Sequence, residues 1–300
     1  MALIHLLETH SGFFLLFVGL FSLAVGSFLN VVIHRLPLMM QTAWRNQCIE
    51  FLDADNQTAT DTLETKDHAQ KPYNLLVPRS ACPACGHQIT ALENIPVFSY
   101  LWLKGRCSNC QTPISKRYPI IELMTAVLSV LIAWQFGFSW QCLAALFFTW
   151  ALIAASLIDF DHKLLPDDIT LPFLWLGILL GLFGTFTDTT SSIIGAVAGY
   201  LSLWTVYWLF KLITGKEGMG YGDFKLLAML GAWMGWQALP GIILLSSFVG
   251  AVIGISLILL RGRDKNIPIP FGPYLAIAGW IYFLWGSQIN DAYFSFAGIR

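Results

Sequence analysis

Eight apolar runs, at about residues 12–34, 118–136, 140–159, 169–187, 190–213, 223–236, 239–260 and 272–289, fill most of this 300-residue chain. A helix needs roughly 20 apolar residues to cross a bilayer, and most of these runs supply them. Composition agrees, with 56% hydrophobic residues, 12% charged residues, twelve tryptophans and a mean hydropathy of +0.64. The expected fold class is an all-α polytopic membrane protein of about eight transmembrane helices. The run at 223–236 is the weakest: about 14 residues rising 1.5 Å each fall short of a hydrocarbon layer 30 Å thick. It is expected to be tilted, distorted or buried among its neighbours. The first run, "GFFLLFVGLFSLAVGSFLNVVI", is too long for a signal peptide, follows no Lys or Arg and shows no small-residue cleavage site. It reads as a retained anchor.

The net charge of −1 says little about partners, and no nucleic acid is expected among them. The placement of the positive charges says more. With eight spans, all Lys and Arg except Arg300 fall in the loops after the first, third, fifth and seventh helices or at their edges: Arg35 to Arg117, Lys163, Lys211 to Lys225, and Arg261 to Lys265. The positive-inside rule then puts those four loops in the cytoplasm and both termini outside. The expected domains are a transmembrane anchor at 1–34, a cytoplasmic loop at 35–117 and a transmembrane domain at 118–300.

The cytoplasmic loop divides in two. Residues 41–74 include "LDADNQTATDTLETKDHAQKP", acidic and without periodicity, and are expected to form a flexible insertion. Beyond them, "CPACGH" and "CSNC" place Cys82, Cys85, Cys107 and Cys110 as two C-x-x-C pairs. Each short turn can present two thiolates to one metal, so a closed, structural four-cysteine zinc site is expected. Disulfides or idle thiols are the competing reading, and a reducing compartment disfavours them. His87 reads as a solvated turn residue, and Cys48 and Cys142 as packing or surface residues.

Two further segments carry carboxylates. "SLIDFDHKLLPDDITLP" puts Asp159 at the end of an apolar run, with Asp161, Asp167 and Asp168 expected in the loop that follows. "EGMGYGDFKLL" puts Asp223 after three alternate glycines, at the start of the short run. The charge count sets both segments on the same side of the membrane. Ionisable residues at membrane edges are functional hypotheses by default. Taken singly, Gly222 and Asp223 could be only a turn and a helix cap, and "DHKLLPDD" only a solvated loop. Together they are the parts of an aspartic peptidase, which needs one carboxylate to activate water and one carboxylic acid to protonate a carbonyl. Helix direction marks Asp223, at a helix N-terminus near Lys225, as the base and Asp159, at a helix C-terminus, as the acid. There is no H-E-x-x-H and no G-x-S-x-G. "GMGYG" follows a membrane helix rather than a strand, which rules out a nucleotide fingerprint.

These segments, with "GSFLNVVIHRLP", "RYPIIELMTA", "IDFDHKLLPD", "GKEGMGYGDFKLLAMLGAW" and "PIPFGPYLAIAGW", closely resemble the type IV prepilin peptidases over nearly the whole chain. These are bifunctional leader peptidases and N-methyltransferases of the G-x-G-D aspartic class. The resemblance implies Asp159 and Asp223 as the catalytic pair. The implied substrates are type IV prepilins and type II secretion pseudopilins, cut after their basic leader at the cytoplasmic face of the bacterial inner membrane. It also implies methylation of the new N-terminus with S-adenosylmethionine, for which no residues are assigned. The acidic insertion is a departure that carries no family motif. Asp161, Asp167, Asp168 and Glu217 are candidates to meet the basic leader. Two rivals remain at this stage: a proton-coupled transporter relaying protons through the paired aspartates, and a zinc-dependent membrane scaffold.

Overall fold

The computed structural model describes residues 2–56, 73–261, 270–296 and 298. Most of the acidic insertion, from 57 to 72, and the positive charges at Arg263, Lys265 and Arg300 lie outside them. The described chain is helical: α1 (Ala2–Thr9), α2 (Ser11–Asn56), α3 (Phe98–Trp102), α4 (Arg117–Phe136), α5 (Trp140–His162), α6 (Asp167–Leu182), α7 (Thr189–Thr214), α8 (Tyr221–Met234), a 3₁₀ turn at Trp236–Ala238, α9 (Leu239–Arg261) and α10 (Gly272–Phe296). Two isolated bridges are the β-pairing among the described residues.

Each of the eight apolar runs forms a helix over most of its length, but they are not equal. Ser11–Leu52, Arg117–Phe136, Trp140–His162, Thr189–Thr214 and Trp236–Ser256 are long and apolar enough to cross a membrane. By contrast α6 has 16 residues and α8 has 14, and α10 is broken at Trp285, where φ is −127°. Among the described residues, five helices thus have the length and apolar composition of a span. The protein is a polytopic α-helical membrane protein.

One difference from the sequence reading is the reach of α2, which runs through Pro37 to Asn56 into the segment expected to be flexible. Between Pro37 and Asn56 there is no glycine or further proline, and Met, Gln, Ala, Arg and Glu are good helix formers. Local propensity sustains a helix there without an apolar period.

The chain forms two compact units, Gly19–Val127 and the remainder, with dividing points inside α2 and α4. In the larger unit α8 is wrapped by α6, α7, α9 and α10. Nearly all of α8 from Asp223 to Trp233 is buried, as expected for so short a run. Outward-facing Phe183, Leu212 and Ile213 stay exposed on α7 and at the end of α6, the inverse of a water-soluble protein. The α7–α8 seam is built from small residues: a Cβ on Gly195 would run into the Gly231 carbonyl, and one on Gly199 would lie 2.6 Å from the Leu227 carbonyl. Glycines let membrane helices approach this closely. Ser192 Oγ seals the seam by donating to the Ala232 carbonyl at 2.7 Å. Trp233 stacks on Phe148 at 4.4 Å and donates to the Phe173 carbonyl at 2.7 Å.

In the smaller unit α2 and α4 touch at Gly26, where a Cβ would fall 2.7 Å from the Glu122 Cα. Asn30 donates to the Tyr118 carbonyl at 3.2 Å, and Arg35 to the Asn74 carbonyl at 2.9 Å.

Candidate active site and cysteine cluster

Asp159 lies in the last turn of α5. That helix runs on to His162 because Lys163 takes a left-handed conformation and returns its N–H to the Asp159 carbonyl at 2.8 Å. Asp161 is therefore helical rather than in the loop, and Asp167 and Asp168 form the first turn of α6 after Pro166. The connection is shorter than the sequence suggested, since no breaker precedes Pro166.

Asp223 stands in the first turn of α8, its amide returned to the Gly220 carbonyl at 3.3 Å. The three glycines before it have different tasks. A Cβ on Gly222 would fall 2.7 Å from Leu165 Cβ, and one on Gly218 would fall 2.9 Å from a Phe210 ring carbon. Gly220 has space and caps the helix. None of the three has positive φ, so Gly222 is needed for close approach rather than for backbone freedom.

That approach sets the start of α8 against Leu165 and brings the two carboxylates together. Asp159 is 6% exposed and Asp223 7%, and each lies within electrostatic reach of the other. A third element closes the group. Gly272, first residue of α10, sets its amide against the Asp159 carboxylate. A Cβ there would lie 2.5 Å from Asp159 Oδ2 and 3.0 Å from Leu165 Cδ1. Asp159 Oδ2 is buried with no hydrogen-bond partner among the described residues. Sequence reasoning missed Gly272, whose only signal was a "PFGP" segment ahead of an apolar run. Two buried carboxylates within electrostatic reach of each other favour having one ionised and one protonated, the pair of states needed to activate a water and protonate a carbonyl.

The surrounding charges are largely paired. Lys225 donates to both oxygens of Asp167 at 2.7 Å, and Lys211 to Glu217 at 2.8 Å. Lys225 is thus engaged away from Asp223. The N-terminus of α10 faces Asp159 just as that of α8 carries Asp223, so helix direction alone no longer ranks the two aspartates.

The four cysteines converge as the spacing required. Their Sγ atoms all lie within 4.8 Å of one another, with Cys82 to Cys110 at 3.8 Å and Cys85 to Cys107 at 4.0 Å. A tetrahedron of zinc–sulfur bonds about 2.3 Å long has edges near 3.8 Å, so the donor set fits a four-thiolate metal ion. The two turns repeat each other. Cys82 and Cys107 donate their amides to the His87 and Thr112 carbonyls at 2.8 and 2.9 Å, and Ile89 and Ile114 donate to Ser80 and Gly105 at 2.9 and 2.8 Å. Gly86 and its counterpart Gln111 both take positive φ, 71° and 59°. The Thr112 hydroxyl and amide hold the Cys110 thiol down at about 6, and the Cys85 and Ala84 amides lower that of Cys82. Both shifts favour the thiolate that a metal binds, whereas burial and the neighbouring Cys110 and Cys82 thiols push Cys85 up to about 11, so the fit to a metal rests on the sulfur geometry.

Glu93 links the two turns and was missed in the sequence. It accepts from Ser108 Oγ, from the Thr90 amide at 2.8 Å and hydroxyl at 2.9 Å, and meets His87 Nε2 at 3.3 Å. The Ser108 hydroxyl, then Thr90, push its carboxyl down to about 2. His87 is therefore a partner of Glu93 rather than a bare turn residue.

Membrane-crossing helices, a four-thiol cluster and two buried carboxylates at converging helix ends define a polytopic membrane protein with a chemically equipped centre. Comparison with known proteins gives the class a family. Residues 146–255, which include both aspartates, match the type IV leader peptidase family, and residues 20–136, which include all four cysteines, match the bacterial Peptidase A24 N-terminal domain. The chain is 56% identical to the prepilin leader peptidase/N-methyltransferase of Pseudomonas aeruginosa over 300 residues, 100% of both chains. It is 58% identical to the protein of that name from Aeromonas hydrophila over 276 residues, 92% of each chain. The chain belongs to the type IV leader peptidase family. No solved structure matches it significantly.

Proposed function

We propose that this protein is a prepilin leader peptidase and N-methyltransferase in which Asp159 and Asp223 cut the leader. The observation that carries the peptidase half is the meeting of two buried carboxylates from α5 and α8 against the N-terminus of α10. One carboxylate takes a proton from water, the water attacks the scissile carbonyl, and the other carboxylic acid protonates its oxygen. Bond cleavage returns a proton to the departing amine. The relatives' names favour this reading over a proton-coupled transporter. They also support prepilins as substrates, and the resemblance extends the proposal to type II secretion pseudopilins.

The domain reading keeps 118–300 for the peptidase and 35–117 for the cysteine subdomain, both working at the cytoplasmic face of a bacterial inner membrane. Zinc is the metal proposed for Cys82, Cys85, Cys107 and Cys110, where four thiolates leave no position open and the metal would tie the two turns together. Asp161, Asp167, Asp168 and Glu217 are the acidic residues proposed to meet a basic leader, and for Asp167 and Glu217 the leader would have to compete with Lys225 and Lys211. The methyl donor named by the resemblance, S-adenosylmethionine, finds no strand-linked glycine loop among the described residues. No residue is assigned to it.

The test is incubation of the purified protein with a prepilin. The chain should be shortened by its leader, and Asp159→Asn or Asp223→Asn should abolish the shortening. Unshortened prepilin with the intact enzyme would sink the peptidase reading.

A further inference from the structure

The short helix α3 is out of place in a water-soluble segment. None of its five residues is buried. Phe98, Leu101 and Trp102 are 59%, 66% and 87% exposed. Spaced at i, i+3 and i+4, they share one face. Ile95, just before, is exposed as well. A soluble subdomain would bury such a face or use it.

The contacts of the preceding segment set its level. Val97, the residue before α3, donates its amide to Glu122 Oε2 at 2.8 Å. It does so at a φ of 61°, which a β-branched residue rarely adopts. Glu122 lies inside α4, a helix long and apolar enough to cross a membrane, roughly 7.5 Å along the axis from Arg117 at 1.5 Å per residue. Asn94 has a weaker contact of 3.5 Å with Ser27, in the apolar part of α2. The chain leading into α3 is thereby tethered beside the first turns of a membrane-spanning helix. Basic residues adjoin it: exposed Lys104 and Arg106 follow α3 directly, Lys116 precedes α4 and Arg117 opens it.

We propose that α3 is a membrane-surface anchor. Phe98, Leu101 and Trp102 enter the headgroup boundary of the leaflet that α4 enters at Arg117. Lys104 and Arg106 face anionic headgroups. Aromatic and aliphatic side chains bordered by cations are what that boundary takes up. The anchor pins the chain next to the cysteine cluster to the bilayer plane. The proposal rests on the membrane architecture and is independent of the peptidase reading.

The full chain, with photoreactive benzoylphenylalanine substituted at Trp102, is reconstituted in nanodiscs of phosphatidylcholine with or without phosphatidylglycerol, irradiated and weighed by intact mass spectrometry. Lipid adducts at position 102 should exceed several-fold those at Ser108, an exposed residue of the cysteine cluster. They should rise with phosphatidylglycerol, and Lys104→Gln with Arg106→Gln should remove that preference. Lipid capture at 102 no greater than at 108 overturns the proposal. So does capture of a second copy of the chain, or of added prepilin, in place of lipid. Folding is checked by thermal unfolding, and a probe at Leu101 repeats the test if the Trp102 variant does not fold.

Discussion

Lys225 grips both carboxylate oxygens of Asp167 at 2.7 Å, tying the N-terminal part of α8, two residues beyond Asp223, to the first turn of α6. With side chains 28% and 50% exposed, the pair adds at most about 1 kcal/mol of stability. Its effect should instead be geometric. Asp167→Asn and Lys225→Gln should each lower kcat for prepilin cleavage several-fold with little change in melting temperature. The exchange Asp167→Lys with Lys225→Asp should restore much of it. Absence of rescue would mean the pair does not align α8.

Gly222 is the point of closest approach between α8 and Leu165. Gly222→Ala should cost about 1–3 kcal/mol through overpacking and reduce cleavage, because it pushes Asp223 away from Asp159. Adding Leu165→Ala makes room and should recover part of both losses. Melting curves and cleavage rates of the single and double variants decide this.

The aspartate pair should give a bell-shaped pH profile for cleavage, since one member must be ionised and the other protonated, and the two constants belong to the pair. Asp159→Asn and Asp223→Asn should each lose at least about a hundredfold in kcat while staying folded. Asp223→Asn, offered an already trimmed pilin, should still methylate it. Loss of methyl incorporation in that folded variant would argue against separate sites.

Glu93 carries a worked pH dependence. Its carboxyl is held near 2 in the folded chain by Ser108 and Thr90, against about 4.3 when unfolded. Its stabilising effect is therefore complete above the unfolded value and is lost as pH falls through the folded one. Glu93→Gln should speed hydrogen exchange across residues 80–114 at neutral pH, and the difference from wild type should close toward pH 2. A difference that persists there would show that the carboxylate's charge is not what matters.

Metal content should be about one zinc per chain, as four thiolates fill one tetrahedral site. Cys82→Ser, Cys85→Ser, Cys107→Ser or Cys110→Ser should each lower that content and loosen the segment around it. Fully active, folded protein without metal would overturn the structural role.

Much of this was legible in the sequence, because burial in lipid and metal-ligand spacing both leave local marks. The apolar runs predicted helices, and the two C-x-x-C pairs predicted a cluster that the thiols do form. What escaped depends on contacts far apart in the chain. Nothing near Gly272 in the sequence shows that its amide meets Asp159, and Glu93 looks like any loop carboxylate until Ser108 and Thr90 close around it. Lys225 was read as a neighbour of Asp223, yet its side chain reaches Asp167 on another helix. The continuation of α2 to Asn56 was hidden because helix propensity leaves no apolar stripe.

The seam between Gly195 and Gly231 brings two main chains into contact with no side chain between them. A side chain can change rotamer and let its helix slide, whereas such a seam has no alternative packing to slip into. The two helices it joins must travel as one body on the timescale of substrate entry. Asp223, carried on α8, is then fixed in height relative to α7.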